Sequence, residues 1–212
     1  MNTPAMPLFF DLHESELDIL LSGGLKKSYP KNTVVISEGD SSHSFYMINS
    51  GKVKVFLDDE QGKEIVLSIL GPGEYFGEMS LIDDEVRSAG VMVLEDAHLT
   101  IISMRNFRSC LEKHPKIATR VMLELTKRLR DANKKIGSLA LLDVYGRVAN
   151  ALLQLARKRD EKLVIEEKLT HQDIANMVGA SREMVTRILR DLAADGYICI
   201  EKGKGIILNE KM

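Results

Sequence analysis

The chain has no tryptophan, two cysteines, five prolines and only 5% aromatic residues among 212 positions. Each shortage narrows what it can be. Cys110 and Cys199 lie far apart, which excludes a disulfide framework and a cysteine-built metal cluster and suits a reducing compartment. No apolar run approaches the roughly 18 residues of a membrane span, and the first residues lack the basic patch and apolar core of a secretory leader. A cytoplasmic protein with no membrane segment is the expectation. Charge of one sign is missing too: 29 Lys and Arg stand against 31 Asp and Glu, and residues 138–212 alone carry 12 against 11. Any nucleic-acid binding must therefore come from a local basic surface. No Ser/His/Asp, Cys/His or paired-carboxylate set assembles with any specificity, and Gly203-Lys204-Gly205 reads as a hairpin turn. An enzyme is not expected, and neither is a bound metal.

What is present is enough apolar sequence, 44%, for one large or two modest globular domains. From about Tyr29 to Ser103, short apolar runs (Thr33–Ile36, Phe45–Ile48, Val53–Leu57, Ile65–Leu70, Val91–Leu94, Leu99–Ile102) alternate with turn signals at Gly39-Asp40, Ser50-Gly51, Gln61-Gly62 and Gly71-Pro72-Gly73. This spacing predicts a small antiparallel β-barrel or jelly roll. After His114-Pro115 the period turns helical. Met122, Leu125, Leu129, Ala132, Ile136 and Leu139 recur at alternating three- and four-residue steps, the seam of a coiled coil, and a second copy of the chain is the economical partner. Gly137-Ser138 is expected to loosen this helix before Asp143 caps another over Val144–Arg159, with Val148, Ala151, Leu152 and Leu155 inward.

The most informative stretch is Leu169–Arg190. Thr170 can cap one helix, with Asp173 three residues on and Ile174, Ala175 and Val178 along one face, and Gly179 stops it. Ser181 can cap the next, whose inward face is Val185, Ile188, Leu189 and Leu192. The outward face of that second helix carries Arg182, Glu183, Thr186, Arg187 and Arg190. Arginine can fork onto guanine O6 and N7, and glutamate can accept from cytosine N4, so the pair suits a helix-turn-helix set into the major groove of double-stranded DNA. A plain helical hairpin with a solvated face would not need a small residue at Ala175 and a glycine at the turn. Tyr197–Leu208 then reads as a glycine-turned hairpin, a wing.

A second segment, Phe76–Ala89, carries different chemistry. A glycine opening a short helical turn exposes backbone N–H groups to an anion, an arginine can grip phosphate oxygens, and a carboxylate can accept from a ribose hydroxyl. Gly77, Glu78 and Arg87 supply these parts. The reading requires Asp83, Asp84 and Glu85 to face solvent, since inward they would repel a phosphate. It also casts Arg87 as a group serving the ligand rather than the fold.

The order of barrel, Gly77-Glu78 with Arg87-Ser88-Ala89, seam helix running into Ile136–Val144, and Val178–Glu183 resembles the CRP/FNR regulators, in their cyclic AMP receptor branch, over nearly the whole chain. The resemblance implies an α+β protein: an effector domain over residues 1–114, a dimerisation helix and hinge over 115–140, and a winged helix-turn-helix over 141–212. It implies a homodimeric transcription regulator on palindromic operators, with RNA polymerase as a partner and a cyclic nucleotide as effector, cyclic AMP favoured. In that pattern Gly77 and Ser88 donate to the cyclic phosphate, Arg87 pairs with it, Glu78 holds the ribose 2′-hydroxyl and Met79 lies alongside. Arg182, Glu183 and Arg187 read bases, Ser181 and Thr186 share their helix, and Thr170 and Gln172 meet phosphates. The chain departs where the family places a Thr-Ser pair against adenine: Ala132-Asn133 stands there. An amide both donates and accepts, so adenine, guanine or a cyclic dinucleotide such as cyclic di-GMP remain open, as does a regulator that needs no effector. The iron–sulfur branch is disfavoured because no N-terminal cysteine cluster exists, and His13, His43, His98 and His114 form no haem-ligand pattern.

Overall fold

Alternation along one long strand organises the first half of the molecule. In β3 (Ser44–Asp58), Phe45 and Met47 point to one buried cluster while Tyr46, Ile48 and Val53 point to another. Successive strand residues face opposite sides, so a strand covered on both faces reads as a continuous apolar run. The structure, a computed structural model, describes residues 23–159, 162–165, 169–201 and 205–209. Within these, contacts divide the chain into two units: one runs to Leu57 and resumes over Val66–Arg130, and the other combines Asp58–Ile65 with the chain from Asp131 onward.

In the first unit, β1 (Leu25–Tyr29), β2 (Val34–Ile36), β3, β4 (Glu64–Leu70), β5 (Tyr75–Phe76) and β6 (Gly90–Ser103) form one antiparallel sheet with the path β1-β6-β3-β4, β2 pairing on β6 and β5 on β3. The path has two ends, so the barrel expectation is met by an open sheet of long, shared strands. Two runs on either side of Ser50-Gly51 are joined in β3, and the two runs Val91–Leu94 and Leu99–Ile102 are joined in β6. Ser50-Gly51 makes a bulge, not a turn: the β3/β6 register shifts between Ile48 and Val53, and Gly51 has φ +84°. A Cβ there would strike Asp96 O and lie 2.6 Å from Ala97 Cα.

Three helices complete this unit: α1 (Met79–Ile82), α2 (Met104–Lys113) and the start of α3 (Pro115–Leu141). Helix α2, absent from the sequence expectations, is capped by Ser103 accepting from Asn106 N at 3.3 Å and sinks Phe107 and Cys110 beside Phe45. Helix α3 buries Ile117 and Val121 against the same cluster. Rings Tyr75, Phe45 and Phe107 stack in series at 5.1 and 4.7 Å.

The second unit holds α4 (Val144–Leu155), α5 (His171–Val178), α6 (Arg182–Ala194) and a four-stranded antiparallel sheet, β7 (Arg157–Arg159), β8 (Lys162–Ile165), β9 (Ile198–Glu201) and β10 (Gly205–Leu208), ordered β7-β8-β10-β9. Val148 and Leu152 of α4, the inward faces of α5 and α6, Ile165, Ile198, Ile206 and Leu208 share one core. Two expectations are corrected. The helix set over Val144–Arg159 ends at Leu155, because Ala156 turns extended and leads into β7. Gly137 and Ser138 sit inside an unbroken α3, and the break comes at Leu142-Asp143, where Asp143 caps α4 through Gly146 N at 2.7 Å. The wing turn at Gly203-Lys204 lies outside the described residues.

Substituting Gly51→Ala should destabilise the protein by about 2 kcal/mol or more, since it adds a positive-φ penalty to a backbone collision. Urea unfolding of the variant against the parent measures this, and an unchanged midpoint would show that the bulge relaxes freely.

Candidate functional site

The cradle around Gly77 is built by strand β5 and the turn that follows it. β5 pairs with β3 through Tyr46↔Phe76 and Met47↔Tyr75 and delivers Gly77 at φ +81° and Glu78 at the start of α1. A Cβ on Gly77 would lie 2.7 Å from an Arg87 guanidinium nitrogen and 2.8 Å from Ser44 O. Only glycine fits.

Arg87 is 3% exposed and bonded throughout. Its Nη1 donates to Gly77 O at 2.6 Å and to Ser80 Oγ at 2.7 Å, its Nη2 to Ser44 O at 2.7 Å and its Nε to Ser42 Oγ at 3.1 Å. Its backbone is laced to the Gly39-Asp40 turn in both directions. The expectation that Arg87 serves only a ligand is thus corrected: four of its five guanidinium N–H groups hold the fold, leaving one for a ligand. Ser42, Ser44 and Ser80 were missed in the sequence because a serine cluster there reads as turn punctuation.

Glu78 is buried equally deeply, 3% exposed, and it does not pair with Arg87. Its carboxylate takes Arg128 of α3 at 3.0 Å, and Arg128 also donates to Tyr75 O at 2.6 Å and stacks 4.7 Å over the Tyr75 ring. Burial pushes the Glu78 carboxyl above its ordinary range, while Arg128 pulls it back down. Burial likewise lowers the Arg87 guanidinium, with Tyr46 and Glu78 opposing. In sequence Arg128 is simply the neighbour of the seam residue Leu129. Its tie to Glu78, fifty residues away, has no local signature.

Around this centre, Met79 and Ser88 are exposed and in contact, Ser88 Oγ lying 3.7 Å from Met79 Sδ. Asp83, Asp84 and Glu85 all face solvent, with Asp84 held by Arg108 at 2.8 Å, so no carboxylate of the triplet crowds the cradle. On α3, Met122, Leu129 and Ile136 are each more than half exposed, and Ala132 and Asn133 are exposed as well. Leu125 departs from the expected free seam, since it packs partly on the first unit's core.

In the second unit the paired helices follow the sequence closely. Thr170 and Asp173 form a reciprocal capping box on α5, with Thr170 N donating to Asp173 Oδ2 at 2.7 Å, and Gly179 ends the helix at φ +64°. Ser181 caps α6 by accepting from Met184 N at 3.2 Å. Val185, Ile188, Leu189 and Leu192 are buried, while Arg182, Glu183, Arg187 and Arg190 are exposed and Thr186 is half-buried. Gln172 is exposed and donates to Asn176 at 2.6 Å. One unforeseen link joins the helices: His171 Nδ1 lies 2.8 Å from Thr186 Oγ1.

Residues 26–114 match the cyclic nucleotide-binding domain family, and residues 146–212 match the Crp-like helix-turn-helix domain family. The cyclic AMP receptor protein of Thermus thermophilus is 35% identical over 197 residues, which cover 93% of this chain and 90% of that protein. The chain belongs to the CRP/FNR family. Its relatives in that family include the cAMP-activated global transcriptional regulator CRP of Escherichia coli O157:H7, 36% identical over 184 residues with 85% and 87% covered. Among solved structures, the c-di-GMP responsive regulator CLP of Xanthomonas campestris matches with a TM-score of 0.81 at 29% identity, covering 92% of this chain and 99% of that one. The catabolite activator protein of Thermus thermophilus matches at 0.58 and 33% identity, covering 96% and 94%. As a CRP/FNR member the chain is a transcription regulator with a cyclic nucleotide-binding domain and a DNA-binding helix-turn-helix. Among the described residues no helix is long and apolar enough to cross a membrane.

Replacing Arg87 with leucine should cost about 3 kcal/mol or more of folding stability, because four hydrogen bonds are lost at once and two partly buried backbone carbonyls, Gly77 O and Ser44 O, lose this donor. Thermal and urea unfolding without any ligand measure this, and an unchanged stability would return Arg87 to a purely ligand-serving role.

Proposed function

We propose that the protein is a homodimeric regulator of transcription whose first unit takes a cyclic nucleotide, cyclic AMP before others, and whose second unit binds palindromic double-stranded DNA. The observation that carries this reading is the meeting at Gly77 of a buried guanidinium, Arg87, and a buried carboxylate, Glu78, whose ion pair is with Arg128 and not with Arg87. One supplies positive charge to a phosphate and the other an acceptor to a ribose hydroxyl. Gly77 N–H and Ser88 are the further phosphate donors, with Met79 beside them. Asn133, with Ala132 preceding it, is assigned to the base. The functional segments are 1–114 for the effector, 115–140 for dimerisation and 141–212 for DNA. Arg182, Glu183 and Arg187 read bases, aided by Thr186, while Ser181, Thr170 and Gln172 lie toward phosphates. RNA polymerase is a partner, and the cytoplasm is the compartment.

The exposed Met122, Leu129 and Ile136 recur every seven residues on α3, the spacing at which a second α3 would cover them. An effector beside paired helices acts by binding one of their arrangements more tightly than the other. A differential of a few kcal/mol gives a switch of about a hundredfold.

A second reading, cyclic di-GMP in place of cyclic AMP, is favoured by Ala132-Asn133 and by the likeness to CLP, which is described as c-di-GMP responsive. Isothermal calorimetry against cyclic AMP, cyclic GMP and cyclic di-GMP decides between them. Cyclic AMP is expected to bind tightest, and Asn133→Ala to weaken it by about 1–3 kcal/mol while narrowing its margin over cyclic GMP. Tighter cyclic di-GMP selects the second reading, and no binding at about millimolar ligand ends both. Leu129→Glu should convert dimer to monomer in sedimentation by setting like charges in a dry seam. A persistent dimer at about micromolar protein would place the interface elsewhere.

A further inference from the structure

The one hydrogen of the Thr186 hydroxyl is committed. The hydroxyl donates it to Arg182 O, one turn back along α6, at 2.8 Å. His171 Nδ1, from the first turn of α5, lies 2.8 Å from the same oxygen. A threonine hydroxyl has one hydrogen to give. Because that hydrogen is spent on the carbonyl, His171 must be the donor in the second bond, and its Nδ1 must carry a proton. The two contacts therefore form a directed chain, His171 Nδ1–H to Thr186 Oγ1–H to Arg182 O.

The chain changes what Thr186 can say to a base. Guanine O6 and N7, adenine N7 and thymine O4 all ask for a donor in the major groove, and this hydroxyl has none left. Its oxygen is drawn toward its own helix and toward α5. What the half-buried side chain retains for an incoming ligand is one acceptor lone pair, on an oxygen held by the protein, and its methyl group, and the one apolar feature of a major-groove edge is the 5-methyl of thymine. Thr186 sits between Glu183 and Arg187 in sequence, half-buried at the border between the exposed side of α6 that carries those two residues and the buried face of Val185, Ile188 and Leu189.

We infer that His171 and Thr186 form a specificity pair in which His171, a positioning residue, holds the hydroxyl so that Thr186 meets a thymine methyl and rejects bases that demand a hydrogen-bond donor from it. The inference rests on the proposed reading that α6 enters the major groove of DNA.

The test uses the full-length protein and an operator it selects from random-sequence DNA, with cyclic AMP, with cyclic di-GMP and without either. Each thymine of the selected half-site is replaced in turn by deoxyuridine, which deletes only the methyl group, and affinity is read by fluorescence anisotropy at fixed salt. One position should lose about fourfold, the worth of one buried methyl. Thr186→Ser, which keeps the hydroxyl and loses the methyl, should bind the thymine and deoxyuridine operators equally. Thr186→Val, which keeps a methyl and loses the hydroxyl, should still distinguish them. His171→Ala frees the oxygen and should widen the preference at that same position while leaving the others intact. Nitrogen-15 spectra of the wild type should show the proton of the neutral His171 ring on Nδ1.

The pair is refuted if no deoxyuridine costs affinity, if Thr186→Val loses the discrimination that Thr186→Ser keeps, or if the neutral ring carries its proton on Nε2. Glu183→Ala and Arg187→Ala serve as controls on the same DNA. Should they shift preference while every thymine methyl proves silent, the pair falls and α6 stands as the reader. Should neither they nor the Thr186 variants alter preference, α6 is not the reader and both ideas fall.

Discussion

The first unit hangs on where the Arg87 guanidinium ends up. Four hydrogen bonds tie it to Ser42, to the first residue of β3, to the glycine after β5 and to α1. Two segments far apart in sequence, Ser42–Ser44 and Gly77–Ser80, thus meet on one side chain. Removing a charged group from water is costly unless nearly all its donors find acceptors, and here two backbone carbonyls and two hydroxyls do most of that. The fifth N–H is left over. Since Glu78 is claimed by Arg128, the guanidinium has no carboxylate among its described hydrogen-bond partners, and Glu78 and Asp40 act on it only through space. Under the proposed reading, fold and ligand chemistry share this one group, so neither can be altered alone.

Helix α3 carries the second constraint, because its faces answer to different partners. Ile117 and Val121 are locked into the core with Phe45 and Phe107, and Arg128 is locked to Glu78 and Tyr75. The register of the helix against the sheet is therefore fixed near its start. Met122 and Leu129 fall on another side and stay exposed. Under the proposed reading, a ligand that engages Glu78 competes with, or joins, the Arg128 contact, and any change there is delivered to the helix directly. The buried ion pair is thus a mechanical connection as well as an electrostatic one. A buried carboxylate left without its arginine is far costlier than the pair itself, so such a connection does not slip by small amounts.

Local chemistry was legible in the sequence, and distant chemistry was not. Thr170, Asp173, Gly179 and Ser181 act within three or four residues of themselves, so caps and turn were readable, and the buried face of α6 followed from its period. The same holds for α3 from Pro115. Where the sequence misled, the cause lies in tertiary context. Ser50-Gly51 has the composition of a turn, but β6 runs close enough to demand a glycine bulge inside a continuous strand. Met104–Lys113 has too few apolar positions to announce a helix, and Phe107 gains its place only from Phe45 and Tyr75. Arg87 was recognisable as the cation of the cradle. Nothing nearby in sequence revealed that Ser42, Ser44 and Ser80 would already hold it, or that Glu78 would turn to Arg128 instead.

With a formal charge of −2 for the whole chain, binding to DNA cannot rest on long-range attraction, which is screened within about 10 Å at moderate salt in any case. Under the proposed reading it rests on a local surface, chiefly what the exposed face of α6 presents. On α6 the exposed Arg182, Arg187 and Arg190 outnumber Glu183 among the charges of that face. A carboxylate in such a place costs non-specific affinity everywhere along a phosphate backbone and repays it only where a base amino group waits. A hydroxyl with no hydrogen to spare acts in the same sense, since it withholds a contact from most bases. Both features subtract binding from wrong sequences more than they add to the right one. Discrimination of that kind suits a regulator with little general affinity for DNA, because specificity is a difference between sites and not a sum of attractions.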